Sequence, residues 1–172
     1  MKDNIPKRQT KRKVWYHITK KNLGKEVLLK PLVPESFGEP LIPRICVAPT
    51  IGHCLGALRH DVKSYRYVYF TVGKAFFPKR EYVSVPNYLK TAQYTFLIRK
   101  GNNLIYDVCD KHITEEKWFL EPTVFYRCDI LSKEFLRRID SKFPKFEIGN
   151  DDKESQKMFI ELVNKQEEQM RT

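Results

Sequence analysis

The residues best placed to do chemistry fall in three short stretches: Tyr16-His17, Arg44 through Thr50, and Thr114-Glu115-Glu116-Lys117-Trp118. His17, Glu115 and Glu116 are the groups there that exchange protons or hold charge, and Thr50 adds a hydroxyl at the expected start of a helix. Unbonded N–H groups and the helix dipole at such a start can receive a phosphate, although a hydroxyl there also serves as a plain N-cap. For His17 a strand imidazole satisfied by a backbone carbonyl stays open, and for Glu115 and Glu116 two loop carboxylates in water. Familiar signatures are missing: the chain has no GxxxxGK[ST], GxGxxG, HExxH, HxE with PCxxC, or GxSxG. P-loop, dinucleotide-fold, zincin, deaminase and serine-hydrolase readings therefore lose support. Arg12 and His17 share the Arg-x4-His spacing of some helical ribonuclease sites, but His17 is expected in a strand. Cys109 and His112 have ligand-like spacing without a second pair to complete a zinc site.

The elements that must position these residues follow from pattern. Val14 to Thr19 is rich in β-branched and aromatic residues and reads as a short buried strand. Lys20 to Leu29 reads as a polar turn around Gly24 with an apolar patch, and Pro31, Pro34, Pro40 and Pro43 extend a rigid loop. Arg44 to Ala48 is a second strand. It runs through Pro49-Thr50 into a helix whose Ile51, Cys54, Leu55 and Leu58 recur at i, i+3, i+4 and i+7. Tyr65 to Val72 is apolar or aromatic on both faces, as in an interior strand. Residues 76 to 89, with Pro78 and Pro86, read as irregular, and 94–98 and 104–108 as a hairpin around residues 99–103. Lys117 to Leu120 and Val124 to Ile130 are strands separated by Pro122, the latter with Val124, Tyr126, Cys128 and Ile130 on one face. Ser132 caps a short helix bearing Phe135, Leu136 and Ile139, and a last helix starting at Asn150 or Asp151 carries Phe159, Leu162 and Val163. The expected fold is α+β, on a mostly antiparallel sheet with flanking helices. Residues 1–13 form a basic, flexible arm, 14–165 a single domain and 166–172 a frayed polar tail.

Composition agrees with one folded domain: 172 residues, 41% hydrophobic and 13% aromatic, against a modal domain of about 100 to 150 residues. No run approaches the roughly 20 apolar residues of a membrane span, and the N-terminus has no signal-like apolar region. A soluble, cytoplasmic protein is the expectation. Cys46, Cys54, Cys109 and Cys128 form no CxxC pair and read as buried thiols rather than disulfide or zinc ligands. Net charge is +11. Residues 1–30 hold ten Lys/Arg against Asp3 and Glu26, a local +8, whereas from residue 147 seven acids face four bases. Such a basic head favours polyanionic partners.

The order of the three stretches resembles the ADP-ribosyltransferase-like superfamily, which includes the small RNA 2′-phosphotransferases and the poly-ADP-ribose polymerase type domains. Over residues 14 to 130, Tyr16-His17 matches the early strand motif. Arg44 to Thr50 matches the second strand running into a helix, and Glu116, two residues before Trp118, matches the glutamate at a late strand. The resemblance implies a split sheet, NAD or a related nucleotide as ligand, and transfer of ADP-ribose to a macromolecule. It implies that His17 bonds a ribose hydroxyl with Tyr16 beside it, and that Thr50 marks the helix start. Glu116, or Glu115 in its place, would hold the ribose and stabilise the developing oxocarbenium ion. Cys46 stands where the polymerase type has a stacking tyrosine, so stacking falls to Tyr67 or Tyr69, and Arg44, Arg59 and Arg66 are the nearby phosphate candidates.

Two other readings stand beside this one. The first is a non-catalytic nucleotide- or nucleic-acid-binding module on the same fold, a sequestering or anti-defence protein of phage type. The second is a basic RNA- or DNA-binding domain whose exposed tyrosines stack on bases. In each, the basic arm recruits a nucleic acid or an acidic protein.

Overall fold

The structure is a computed structural model that describes residues 5–33, 42–78, 82–84, 97–100, 103–107, 114–142 and 153–171. Its framework is an antiparallel sheet in the order β1 (Lys13–Thr19), β4 (Tyr67–Gly73), β9 (Thr123–Ile130), β2 (Glu26–Leu29). β1 and β4 pair along their full lengths, from Lys13 opposite Gly73 to Thr19 opposite Tyr67. Between them they supply the large residues of both faces. Trp15 and Tyr69 point to one side, where they pack with Ile45, Val47, Ala75 and Phe125. Ile18 and Val68 point to the other, against the helices.

A second, two-stranded sheet joins β3 (Ile45–Val47) to β8 (Lys117–Phe119) and packs over the Trp15 face. Single bridges tie the two sheets at two corners. At one, Tyr16 and Ala48 exchange two backbone hydrogen bonds of 2.9 and 3.0 Å; at the other, Phe76 and Trp118 exchange two of 2.7 and 2.9 Å. The sheets are therefore joined at Tyr16 and part beyond it. A third sheet has the order β5 (Tyr82–Ser84), β7 (Asn103–Asp107), β6 (Leu97–Lys100).

The helices cover the opposite face. Helix α1 (Ile51–Ala57) starts at Thr50, whose side chain accepts the His53 N–H, and α2 (Lys133–Lys142) starts at Ser132, whose Oγ accepts the Phe135 N–H. Both caps satisfy donors that a helix start otherwise leaves unbonded. Helix α3 (Lys153–Arg171) lies against α1 at Gly52 and Gly56. A Cβ added at Gly52 would sit 2.7 Å from the Ile160 carbonyl oxygen, and one at Gly56 would sit 2.6 Å from Ile160 Cγ1. The two glycines thus permit an approach that a side chain would block.

Several elements differ from the sequence reading. The expected loop after Lys20 contains β2, an edge strand whose Leu28 and Glu26 are exposed while Val27 and Leu29 turn to the core. Its apolar patch alternates, so it is strand rather than turn. The residues expected to form a flexible arm are pinned from Arg8 to Thr10: Thr10 N–H donates to Ala75 O, Phe77 N–H to Arg8 O, and Thr10 Oγ1 accepts the Ala75 N–H. Charge hid this, because backbone pairing does not depend on side-chain polarity. The tail expected to fray from Gln166 is helical through Arg171. In β9, Arg127 and Asp129 pair with consecutive residues of β4, leaving Cys128 as a bulge that interrupts the expected alternation. Cys128 is exposed, and of the described cysteines, all thiols, only Cys54 is fully buried. Within 76–89, β5 is regular, and the hairpin closes more tightly than expected, with Lys100 opposite Asn103. The remaining turn residues, Cys109, His112 and the expected start of the last helix lie outside the described residues.

Candidate functional site

Beyond the Tyr16–Ala48 corner, β1 and β3 diverge and leave a cleft of about 100 Å³. Its walls are mainly apolar, from Ile18, Val47, Ala48, Cys54, Ala57 and Leu58; its polar groups are His17, His53, Thr114 and Glu116. His17 is placed by strand alternation. It shares the Trp15 side of β1, and its Nδ1 lies 2.7 Å from the Cys46 carbonyl oxygen. A carbonyl only accepts, so Nδ1 carries the proton and Nε2 of the neutral ring is an acceptor. Burial holds this imidazole below its usual range, with the Cys46 bond opposing the shift.

Glu116 comes from the turn before β8. Its Oε1 accepts the Trp118 indole N–H at 2.7 Å, and the Trp118 ring is itself fully buried under the Arg44 guanidinium, 4.4 Å from its centroid. The carboxylate is thereby held against a rigid support. Glu115 takes the strained left-handed backbone at φ 52°, a conformation that costs a non-glycine residue about 1 to 3 kcal/mol and persists where surrounding contacts fix it. Two contacts fix it here. Glu115 Oε2 meets His53 Nε2 at 3.0 Å, and its carbonyl accepts from Lys117 Nζ at 3.1 Å.

His53 itself is bound at both ring nitrogens. Because the Glu115 carboxylate only accepts, Nε2 carries the proton, and Nδ1 of the neutral ring then accepts from the Thr50 hydroxyl at 2.6 Å. Burial lowers the His53 pKa, opposed by Glu115 and reinforced by Lys117 and Lys13. A chain Thr50–His53–Glu115 so links the start of α1 to the turn that carries Glu116. Sequence reasoning missed His53, and it included Thr114 in the third stretch without giving it a role. The available signal for His53 was its place three residues after a capping threonine, one helical turn along the same face.

Of the residues singled out from sequence, His17 and Glu116 line the same cleft. Thr50 and Glu115 reach it through His53, and Thr50 with Tyr16 lines a separate cavity of about 230 Å³ beside Asn164 and Glu167. Four others lie elsewhere. Tyr69 is fully buried, its hydroxyl accepting from Leu23 N–H and donating to Gly24 O. Tyr67 packs on the same core, and neither ring lines the cleft. Arg44 is buried, donating to Ile42 O and covering Trp118. Arg66 donates to Leu131 O. Interior-strand aromatics were bound to be consumed by the core, since both their faces meet protein.

No group of three or more His, Cys, Asp or Glu side chains among the described residues is arranged to hold a metal ion, and no helix among them is long and apolar enough to cross a membrane. No protein-family model, curated protein or solved structure matches the chain.

Proposed function

We propose that the chain is an ADP-ribosyltransferase-like protein that takes NAD or a related nucleotide as substrate, with the base ring in the cleft between β1 and β3. The observation that carries this reading is the meeting of His17 and Glu116, 99 positions apart, on one apolar-walled space. Its volume of about 100 Å³ suits a single ring; drug-sized ligands occupy roughly 300 to 1,000 Å³. Ribose and phosphates would lie across the mouth. His17 Nε2 accepts from a ribose hydroxyl, and Glu116 supplies negative charge where positive charge develops on the anomeric carbon. In the transfer, the acceptor oxygen bonds to that carbon as the glycosidic bond to nicotinamide breaks. The bonding pair stays on the ring nitrogen and neutralises the pyridinium, and the acceptor proton passes to water.

One observation favours the non-catalytic reading on the same cleft. Cys46 lines the wall and, among the described residues, no Phe, Tyr or Trp does, so a bound ring meets a mainly aliphatic wall without a stacking tyrosine.

The cleft is tested by filling it. Ala57 lines the space yet is exposed at the end of α1, so Ala57→Phe is expected to preserve the melting temperature and weaken NAD binding by tenfold or more in a calorimetric titration run beside ATP. Unchanged NAD affinity in the variant places the nucleotide elsewhere.

A further inference from the structure

The pinning of the N-terminal arm fixes a cationic corner beside the cleft. Five of the nine residues from Ile5 to Lys13 are Lys or Arg, and none is acidic. Thr10 pairs with Ala75 and Lys13 with Gly73, which sets Lys11 and Arg12 opposite Lys74, all of them exposed. Arg8 and Lys117 converge on Phe77, at 4.3 and 5.0 Å from its ring centroid. Lys117 immediately follows Glu116, which lines the cleft, and lies over Phe77, so this corner borders the cleft. Glu115 bonds His53, and Glu116 bonds the Trp118 indole.

We propose that this corner is a nucleic-acid-binding surface that grips phosphates without reading bases. The proposal rests on the transfer reading only in naming the macromolecule which that reading leaves open. Like charges held on a paired ribbon repel one another, and an anionic partner relieves that cost. Among the described residues of the corner no Trp, Tyr or Phe is exposed, since the Phe77 ring is covered by cations, and the exposed apolar side chains there are the aliphatic Ile5, Val14 and Val72. Protein interfaces depend on aromatic anchors at their centres, whereas phosphate binding runs on cations and counterion release.

The test is fluorescence anisotropy with labelled oligodeoxythymidine, without nucleotide, across about 50 to 200 mM salt. The parent protein is compared with the triple variant Lys11→Gln, Arg12→Gln, Lys74→Gln, whose side chains are exposed. A melting curve checks that the variant is folded, and poly-glutamate serves as an acidic-protein competitor. The expected result is a log–log salt slope shallower in the variant by about two, at roughly 0.7 per lost phosphate contact on a single strand, with poly-glutamate competing poorly. An unchanged slope overturns the proposal. So does competition by poly-glutamate equal to that of unlabelled oligonucleotide, which would assign the corner to an acidic protein. A chain that binds the strand and fails the NAD titration keeps this surface and loses the transfer reading, so the two failures are distinct.

Discussion

His17 shows how one carbonyl fixes a side chain's chemistry. Its proton is held on Nδ1 by the Cys46 oxygen, and burial disfavours the charged form. In the unfolded chain the same imidazole titrates near its ordinary value of about 6.5. With the folded pKa lower, the unfolded state binds more protons in the interval between the two values. Stability is therefore full above the unfolded pKa and is lost as pH falls towards the folded one. His53 is shifted in the same direction and adds to the effect. His17→Asn retains a donor at the Nδ1 position and removes the titration. The melting temperature of the parent is expected to fall between pH 7 and 5 with a contribution from His17 of up to about 1.4 kcal/mol per pH unit, and the variant's curve to be flatter. Parallel curves would show that His17 titrates alike in both states. At this scale the sequence displayed the right residue types but not their neighbours. Tyr16-His17 and Glu116 stood out as motifs, whereas His53 gains its place only when the turn at Glu115 folds back on α1.

Among the elements, the contact of α1 with α3 is the most demanding. Alanine exceeds glycine in helix propensity by about 1 kcal/mol, so propensity alone makes Gly52→Ala stabilising. Packing decides otherwise, because the new methyl meets Asn164 and the Ile160 carbonyl, which are backbone or hydrogen-bonded to the Gly52 N–H. Overpacking of this kind costs typically about 1 to 3 kcal/mol, and a net loss of stability is expected in a denaturant melt; a gain would mean that the helices part readily. The pinned arm makes a second prediction. Thr10→Ala removes the acceptor of the Ala75 N–H and is expected to cost about 1 kcal/mol, read in the same melt; no change would show that the arm pairs too weakly to matter. The Thr50 and Ser132 caps, β1, β3, β4 and the α1 stripe were legible because each follows a local rule of capping, alternation or period. β2 and the arm were not, since their strand character comes from partners far along the chain, Thr123 to Tyr126 and Ala75 to Phe77. The bulge at Cys128 is likewise set by pairing with β4.

At the scale of the molecule, two sheets joined at two corners leave a cleft beside the Tyr16–Ala48 corner, and a cationic edge lies next to it. That arrangement makes Glu116 the residue on which the transfer reading turns. Glu116→Gln keeps an oxygen to accept the Trp118 indole N–H, so the fold and the ground-state contacts persist, and NAD affinity is expected to stay within about tenfold. The transition state loses a carboxylate opposite developing positive charge, an effect of about 2.7 to 4 kcal/mol for a well-placed group. The decisive measurement is transfer of labelled ADP-ribose from NAD by the parent and by Glu116→Gln, with a binding titration on each. The expected result is transfer by the parent, a fall of about a hundredfold or more in the variant, and comparable binding by both. Equal transfer by the two proteins, or tight nucleotide binding with no transfer by the parent, would contradict it.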